Sequence, residues 1–445
     1  MKSKLKLVEG AVVAPKGFKA AGVFCDIKRL GTGKGSNKGN KRDLALIVSD
    51  TTATVAGMFT TNQVCAAPVK VCVERIKGGR AQAVVINSGN ANACTGKQGM
   101  ADAREMVGFA ERSLMLPKGS VFVGSTGRIG VTMPMDSVRA GIIEAAVELG
   151  STVEHAANAA EAIMTSDTRP KQIAVEFKLG GKTVRIGGMC KGAGMIQPGM
   201  SATGKRPAAF PAGLHATMLC FITTDVAIGA KVLQAALQEA VAQSFNRITV
   251  DGDMSTNDTV LVLANGQAGN ANIQHSTSNT QRQIFQDALN HVCLELAKMI
   301  VRDGEGVNRV VTVRLNGAKS IGDADAAARA VANSALVKTS WHGGDPNWGR
   351  IIDAIGYSPA TVVEEKIDIG YSAAGSKKIL WSLKRGQPTK ATFKELCTAV
   401  APKEFDLHIN LNVGKATAVM YAADLTEEYV DFNKGDVGDP ASLGG

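Results

Sequence analysis

Runs of two different periods alternate along the whole chain, and this alternation limits the fold more than any other feature. β-Branched and aliphatic runs at Leu44–Val48, Ala53–Phe59 and Ala83–Ile86 read as strands. A helix capped by Asp136 is expected to reach about Leu149, with Ile142, Ile143, Ala146 and Leu149 on one face. Next come Ile173–Leu179 and Thr183–Ile186, joined through Gly180–Gly181, a pair suited to a two-residue hairpin turn. The second half repeats the mixture. Val232, Leu233, Ala236, Leu237, Ala240 and Val241 recur at helical spacing, as do Ile284, Ala288, Val292, Leu296 and Ile300. Asp323 is expected to cap an Ala-rich helix running toward Ala335, and strands are expected at Val310–Leu315 and His408–Leu411. Hairpins and helices in both halves predict α+β layering and argue against a doubly wound parallel sheet.

Composition narrows the class further. Of the 445 residues, 45% are hydrophobic but only 4% aromatic, and 49 are glycine, so the cores should be aliphatic and rich in alanine. The net charge of +10 owes much to lysines and arginines near the start, and residues 31–42 (GTGKGSNKGNKR) read as a solvated loop. No basic stripe interleaves with aromatic rings, so nucleic acid is not an expected partner. The eight cysteines show no C-x-x-C spacing and no clustering with histidine, which suits free thiols in a reducing cytoplasm better than a zinc site. No apolar run is long enough to predict a secretory signal or a membrane span. The segment after Asn433 (KGDVGDPASLGG) reads as disordered.

Several short segments carry possible chemistry. They are NSGNANACTG at 87–96, GSTGRIG at 124–130, MTSDTRPK at 164–171, KGAGMI at 191–196, ATMLCFITTD at 216–225 and RDGEG at 302–306. Each alone has a plain reading: an amide-rich turn, a glycine loop after a strand, a surface lysine at a turn, or a β-branched residue opening a buried strand. Together, in this order, and with RITVDGDMSTND at 247–258 and DPNWGRI at 345–351, they resemble the ornithine acetyltransferase (glutamate N-acetyltransferase) family over nearly all of residues 10–433.

The resemblance implies a layered α/β/β/α sandwich with a second, smaller α/β domain. It implies self-cleavage between Ala216 and Thr217, giving an α chain of residues 1–216 and a β chain of 217–445. Thr217 would then be the nucleophile, with Thr126 and Gly127 forming the oxyanion hole. Thr165, Lys191, Thr217, Glu305 and Asn433 would bind substrate. The implied reaction moves acetyl from N2-acetylornithine to glutamate, within arginine biosynthesis. It calls for no metal or organic cofactor and leaves acetyl-CoA open as a co-substrate. Expected partners are the amino-acid substrates, the two fragments of one precursor, and further αβ units in a homo-oligomer.

An N-terminal threonine suits this role. Its free α-amine titrates near ~8, far below a lysine, and lies within reach of its own hydroxyl. Before cleavage the same hydroxyl can attack the preceding carbonyl. Two departures from the family pattern stand out. Ser201–His215 is inserted directly before the expected cut and carries a second Ala-Thr pair, Ala202–Thr203. Gly438 stands where the family ends in a substrate-contacting threonine. Two other readings use the same residues: an N-terminal-nucleophile amidase or peptidase passing the acyl group to water, and a non-cleaving paralogue that only binds ligand.

Overall fold

The structure is a computed structural model, and it describes residues 5–28, 41–205, 218–273 and 279–434. The expected basic loop at 31–42 falls almost wholly outside these residues. So do Ala216, Thr217, Gly438, most of the insertion and the segment after Lys434.

Ten strands of the first unit form one bent sheet. They are β1 (Lys6–Leu7), β2 (Phe18–Val23), β3 (Leu44–Thr60), β4 (Arg80–Asn90), β5 (Val121–Arg128), β6 (Lys171–Leu179), β7 (Lys182–Lys191), β8 (Met200–Ser201), β9 (Leu219–Thr224) and β11 (Thr259–Ala264). The short β10 (Ile248–Thr249) belongs to a second sheet. The two strands expected at Leu44–Val48 and Ala53–Phe59 are one strand, β3, with a register shift between Val48 and Ala53. The first part of β3 pairs with β2 and β4, and the last part with β11. It therefore belongs to both halves of the sheet, and the sheet folds over on itself.

Side-chain alternation makes the layers. Leu219 and Phe221 of β9 and Leu261 and Leu263 of β11 join the core that also holds Ile86 and Val123. The intervening Cys220, Ile222, Val260 and Val262 join the other core. A Cβ placed on Gly124 of β5 would meet the Phe221 ring at 2.7 Å, so the β5 half and the β9 half of the sheet face each other. Helices α1 (Ala67–Arg75), α2 (Gly96–Ser113), α3 (Met135–Val147) and α4 (Val153–Ala162) cover the outside of the β2–β5 half. Helices α5 (Ala230–Gln243) and α6 (Asn279–Arg302) cover the other side, α6 against β6 and β7. The result is the α/β/β/α layering the sequence led us to expect. Gly180 and Gly181 both take positive φ in the β6–β7 hairpin.

The smaller unit is a seven-stranded sheet in the order β10, β17 (Ala416–Ala423), β12 (Val310–Ala318), β16 (Glu404–Asn410), β13 (Asp368–Ala373), β14 (Leu380–Lys384) and β15 (Gln387–Pro388). Helices α7 (Ile321–Asn333), α8 (Ala335–His342), α9 (Trp348–Gly356), α10 (Phe393–Val400) and α11 (Glu427–Asn433) belong to this unit.

Two expected caps are corrected. The helix at 135 starts after Pro134 and ends at Val147, so Asp136 lies inside the first turn, where it pairs with Arg139. A carboxylate there still favours the positive helix end without capping it. At α7 the cap is Ser320, whose Oγ accepts the Asp323 N–H at 3.0 Å. Asp323 is the residue being capped. All eight cysteines are free thiols. Among the described residues no helix is long and apolar enough to cross a membrane.

Candidate active site

The site lies where β5, β7, β9 and β11 end or begin together. Strand β5 runs parallel to β4 and finishes in Ser125–Thr126–Gly127. Gly127 has φ +129°, and a Cβ there would run into the backbone of Gly89 and Asn90. Only glycine lets the two chains approach so closely. Thr126 is buried, and its hydroxyl accepts from Lys191 Nζ at 3.3 Å. The side-chain amide of Asn257 donates to Ser125 O at 2.8 Å and Ala91 O at 2.6 Å, tying this turn to the 87–96 loop. That loop spends its own amides on backbone: Asn87 on Asn90 O, Asn90 on Val131 O and Thr132 O, and Asn92 on Gly99 O. It supports the site in place of lining it.

Lys191 closes β7 and sits opposite Leu219 in the β7–β9 ladder, two residues from position 217. It is buried, and Asp167 Oδ2 lies 4.0 Å from its ammonium. Asp167 accepts from the Thr165 N–H at 3.0 Å and the Gly192 N–H at 2.7 Å, and it pairs with Lys171. Lys171 also pairs with Asp303, which accepts from both the N–H and the hydroxyl of Thr168. Burial alone would raise the Asp167 carboxyl, but the ammoniums of Lys191 and Lys171 outweigh it and hold the group well below the usual carboxylate range. For Lys191 burial wins, and its ammonium is held below the ordinary lysine value despite Asp167.

Asp258, directly before β11, was missed as a site residue in the sequence. Its Oδ1 accepts the Met218 N–H at 2.6 Å, while Oδ2 has no partner among the described residues. The side chain is fully buried, which pushes the carboxyl well above its normal range. The Met218 N–H and Lys191 only partly oppose this. This buried carboxyl is thus tied, through the Met218 N–H, to the residue that follows position 217. The available signal was an acidic residue set directly before the wholly apolar run TVLVLA. Asp167, Lys171, Asn257 and Asp303 were missed too: Asp167 and Lys171 pair locally, but their links to Lys191 and Asp303, like those of Asn257 to residues 91 and 125, join segments far apart in sequence.

Glu305 follows α6, and its N–H bonds to Ala193 O at 3.0 Å. A Cβ on Gly194 would collide with the Glu305 carboxylate, so the glycine makes room for it. Asn433, the last residue of α11, donates to Glu305 Oε2 at 3.0 Å. Thr126, Lys191 and Thr165 are thus linked through Asp167, and Glu305 with Asn433 packs against Ala193 and Gly194, two and three residues past Lys191. The competing Thr203 is exposed, and its hydroxyl accepts from Lys205 N–H in a local turn.

A hydroxyl, a lysine amino group and a buried carboxyl meet at the first residues of a buried strand, the equipment of an enzyme that passes an acyl group between nucleophiles. The ArgJ family model matches residues 19–435. The Arginine biosynthesis bifunctional protein ArgJ of Symbiobacterium thermophilum is 45% identical over 96% of this chain and 99% of its own length. The Glutamate N-acetyltransferase of Methanocaldococcus jannaschii is 43% identical, again over 96% and 99%. A crystal structure of Arginine biosynthesis bifunctional protein argJ from Bacillus halodurans aligns with 45% of this chain and 100% of its own, at 38% identity and a TM-score of 0.42. The chain belongs to the ArgJ family and is an acyltransferase of arginine biosynthesis.

Proposed function

We propose that the chain cuts itself between Ala216 and Thr217, then carries an acetyl group on Thr217 from N2-acetylornithine to glutamate. The observation that carries this reading is the 2.6 Å bond from the Met218 N–H to Asp258, which fixes the residue after Thr217 beside Lys191 and Thr126. In maturation the Thr217 hydroxyl attacks the Ala216 carbonyl and the C–N bond breaks. The proton that the hydroxyl gives up is relayed through the Asp258 carboxyl to the departing nitrogen, and water hydrolyses the resulting ester. In turnover the freed α-amine takes the hydroxyl proton as Thr217 attacks the acetyl carbonyl. The Thr126 hydroxyl and the Gly127 N–H face the oxyanion. Ornithine leaves with a proton, and the glutamate amine attacks the ester. Lys191 suits a substrate carboxylate, and Glu305, steadied by Asn433, suits an ammonium. Thr165 completes the substrate contacts. The two fragments stay together and the αβ units associate further. This reaction needs no metal or organic cofactor and leaves acetyl-CoA open as a co-substrate, and the enzyme works in the cytoplasm.

N-terminal sequencing of the purified protein tests the first step: fragments of 216 and 229 residues are expected, the second starting Thr-Met-Leu-Cys. Incubation with N2-acetylornithine should then load one acetyl on the second fragment, and glutamate should remove it faster than water does. An intact chain, or discharge by water alone, overturns the reading.

A further inference from the structure

Four buried charges run in alternating sign through the first unit: Asp303, Lys171, Asp167 and Lys191. At one end Asp303 is held by the N–H and hydroxyl of Thr168. At the other, Lys191 Nζ reaches the Thr126 hydroxyl. The central carboxylate, Asp167, sits directly on Lys171 but 4.0 Å from Lys191. The spacing is unequal for a reason. Lys171 and the N–H groups of Thr165 and Gly192 already satisfy Asp167. Lys191 is therefore attracted by it without being captured.

We propose that Lys171 is a positioning residue for acetyl transfer: by neutralising Asp167 it keeps the Lys191 ammonium free for Thr126 and an incoming carboxylate. This deepens the function proposed above and rests on it. Without Lys171, Asp167 would have Lys191 as its one ammonium partner among these four groups and would draw it away from Thr126. The buried carboxylates Asp167 and Asp303 would also lose the ammonium between them, leaving Asp303 with the exposed Arg169 at 3.8 Å. The remaining titratable groups acting on Lys191 are Glu305 and Asp258, which both favour its charged form. Lys171 opposes that form and Asp167 supports it.

The signs give a test that a merely structural role would not pass. Full-length protein carrying 13C-labelled lysine is titrated by NMR, and the Lys191 signal is assigned from its loss in Lys191→Arg. Lys191 should titrate below the exposed lysines. Lys171→Met removes a neighbouring positive charge and should move the midpoint up by about one pH unit. Asp167→Asn removes a negative charge and should move it down by a similar amount. In the double variant, which removes one charge of each sign and keeps volume, the displacements should cancel to within about half a unit. The double variant also carries the test if a single variant fails to fold. Acetyl transfer by Lys171→Met should fall about tenfold in kcat/KM, with partial recovery in the double variant. The proposal is overturned if Lys171→Met leaves the midpoint unmoved or lowers it, or if the double variant behaves like Asp167→Asn. The titration needs no turnover, so failure of the acetyl-transfer reading would show separately, as a wild-type protein that never loads acetyl.

Discussion

The two units of the molecule are held by different means. In the smaller one each of α7 to α11 is capped by a nearby side chain: Ser320, Ser334, Asn347, Thr392 and Thr426 each accept an N–H three residues on. In the first unit α1, α2, α3 and α5 start without a side-chain cap, and α4 has one, from Thr152; the residues before α6 lie outside those described. Its polar groups are spent across the chain instead. Asn257 reaches residues 91 and 125, Asp303 reaches 168 and 171, and Asp258 reaches 218. Local bonds settle where elements begin. Long-range buried bonds settle where atoms stand relative to one another, and a reaction centre needs the second kind.

The largest way to break this comparison is at Thr217. Thr217→Ala should abolish both cleavage and acetyl transfer, with a loss of about 10⁴-fold or more in kcat, because no neighbouring group replaces both attacker and base. Electrophoresis and an acetyl-loading assay read it directly. Residual splitting at this position would remove the nucleophile from its role.

Next in size is Asp258→Asn. Asparagine keeps an oxygen for the Met218 N–H but has no acidic proton, so it separates holding the strand from feeding the reaction. Cleavage should slow by about 100-fold while the melting temperature stays close to wild type. If the carboxyl only positions β9, the asparagine variant will cleave at the normal rate.

The same contrast explains how much could be read from sequence. The β6–β7 hairpin was legible because two adjacent glycines specify the turn. The helical stripe from Ile284 to Ile300 was legible because it repeats every four residues within α6. The break within β3 was read as two strands because the polar Ser49–Thr52 stretch interrupts the apolar pattern, whereas the backbone continues through it. The caps at Asp136 and Asp323 were placed a few residues too late, since an acid in the first turn and an acid at the cap look alike in sequence. At the site, Thr126, Lys191 and Glu305 were found through segments matching a known family. Asp167 and Asp258 were not, because what marks them is the burial of a charge against residues far along the chain.

The smaller unit has a buried charge of its own, and it differs from Lys191 in having no role in the proposed reaction. Lys338 donates to Ala423 O, and burial lowers its titration to about 8, against 10.5 ordinarily, despite Asp251 and Asp424 nearby. Between these two values the unfolded chain binds more protons than the folded one. This group therefore makes stability rise as pH climbs through that window, by up to about 3 kcal/mol, and the full penalty applies below it. Urea midpoints measured across the window should show the rise in the wild type and a flatter line in Lys338→Met. Equal slopes would mean that water reaches the ammonium.

The smallest effect comes from the most local bond. Thr392 opens α10 with a reciprocal capping box: its hydroxyl oxygen accepts the Glu395 N–H at 3.3 Å, and the Glu395 carboxylate accepts the Thr392 N–H at 2.8 Å. Thr392→Ala leaves the Glu395 N–H to water and should cost about 1 kcal/mol, lowering the melting temperature by a few degrees at most. Cleavage and acetyl transfer should not change, because no polar contact described for Thr392 leaves its own helix start. A loss of activity in this variant would show that the smaller sheet transmits its stability to the site. The most direct route is α11, whose Asn433 donates to Glu305 Oε2 at 3.0 Å and whose capping Thr426 donates to Gly306 O at 2.7 Å. Unchanged activity with a lowered melting temperature would leave the division intact: short-range bonds set stability in one unit, and long-range buried bonds set chemistry in the other.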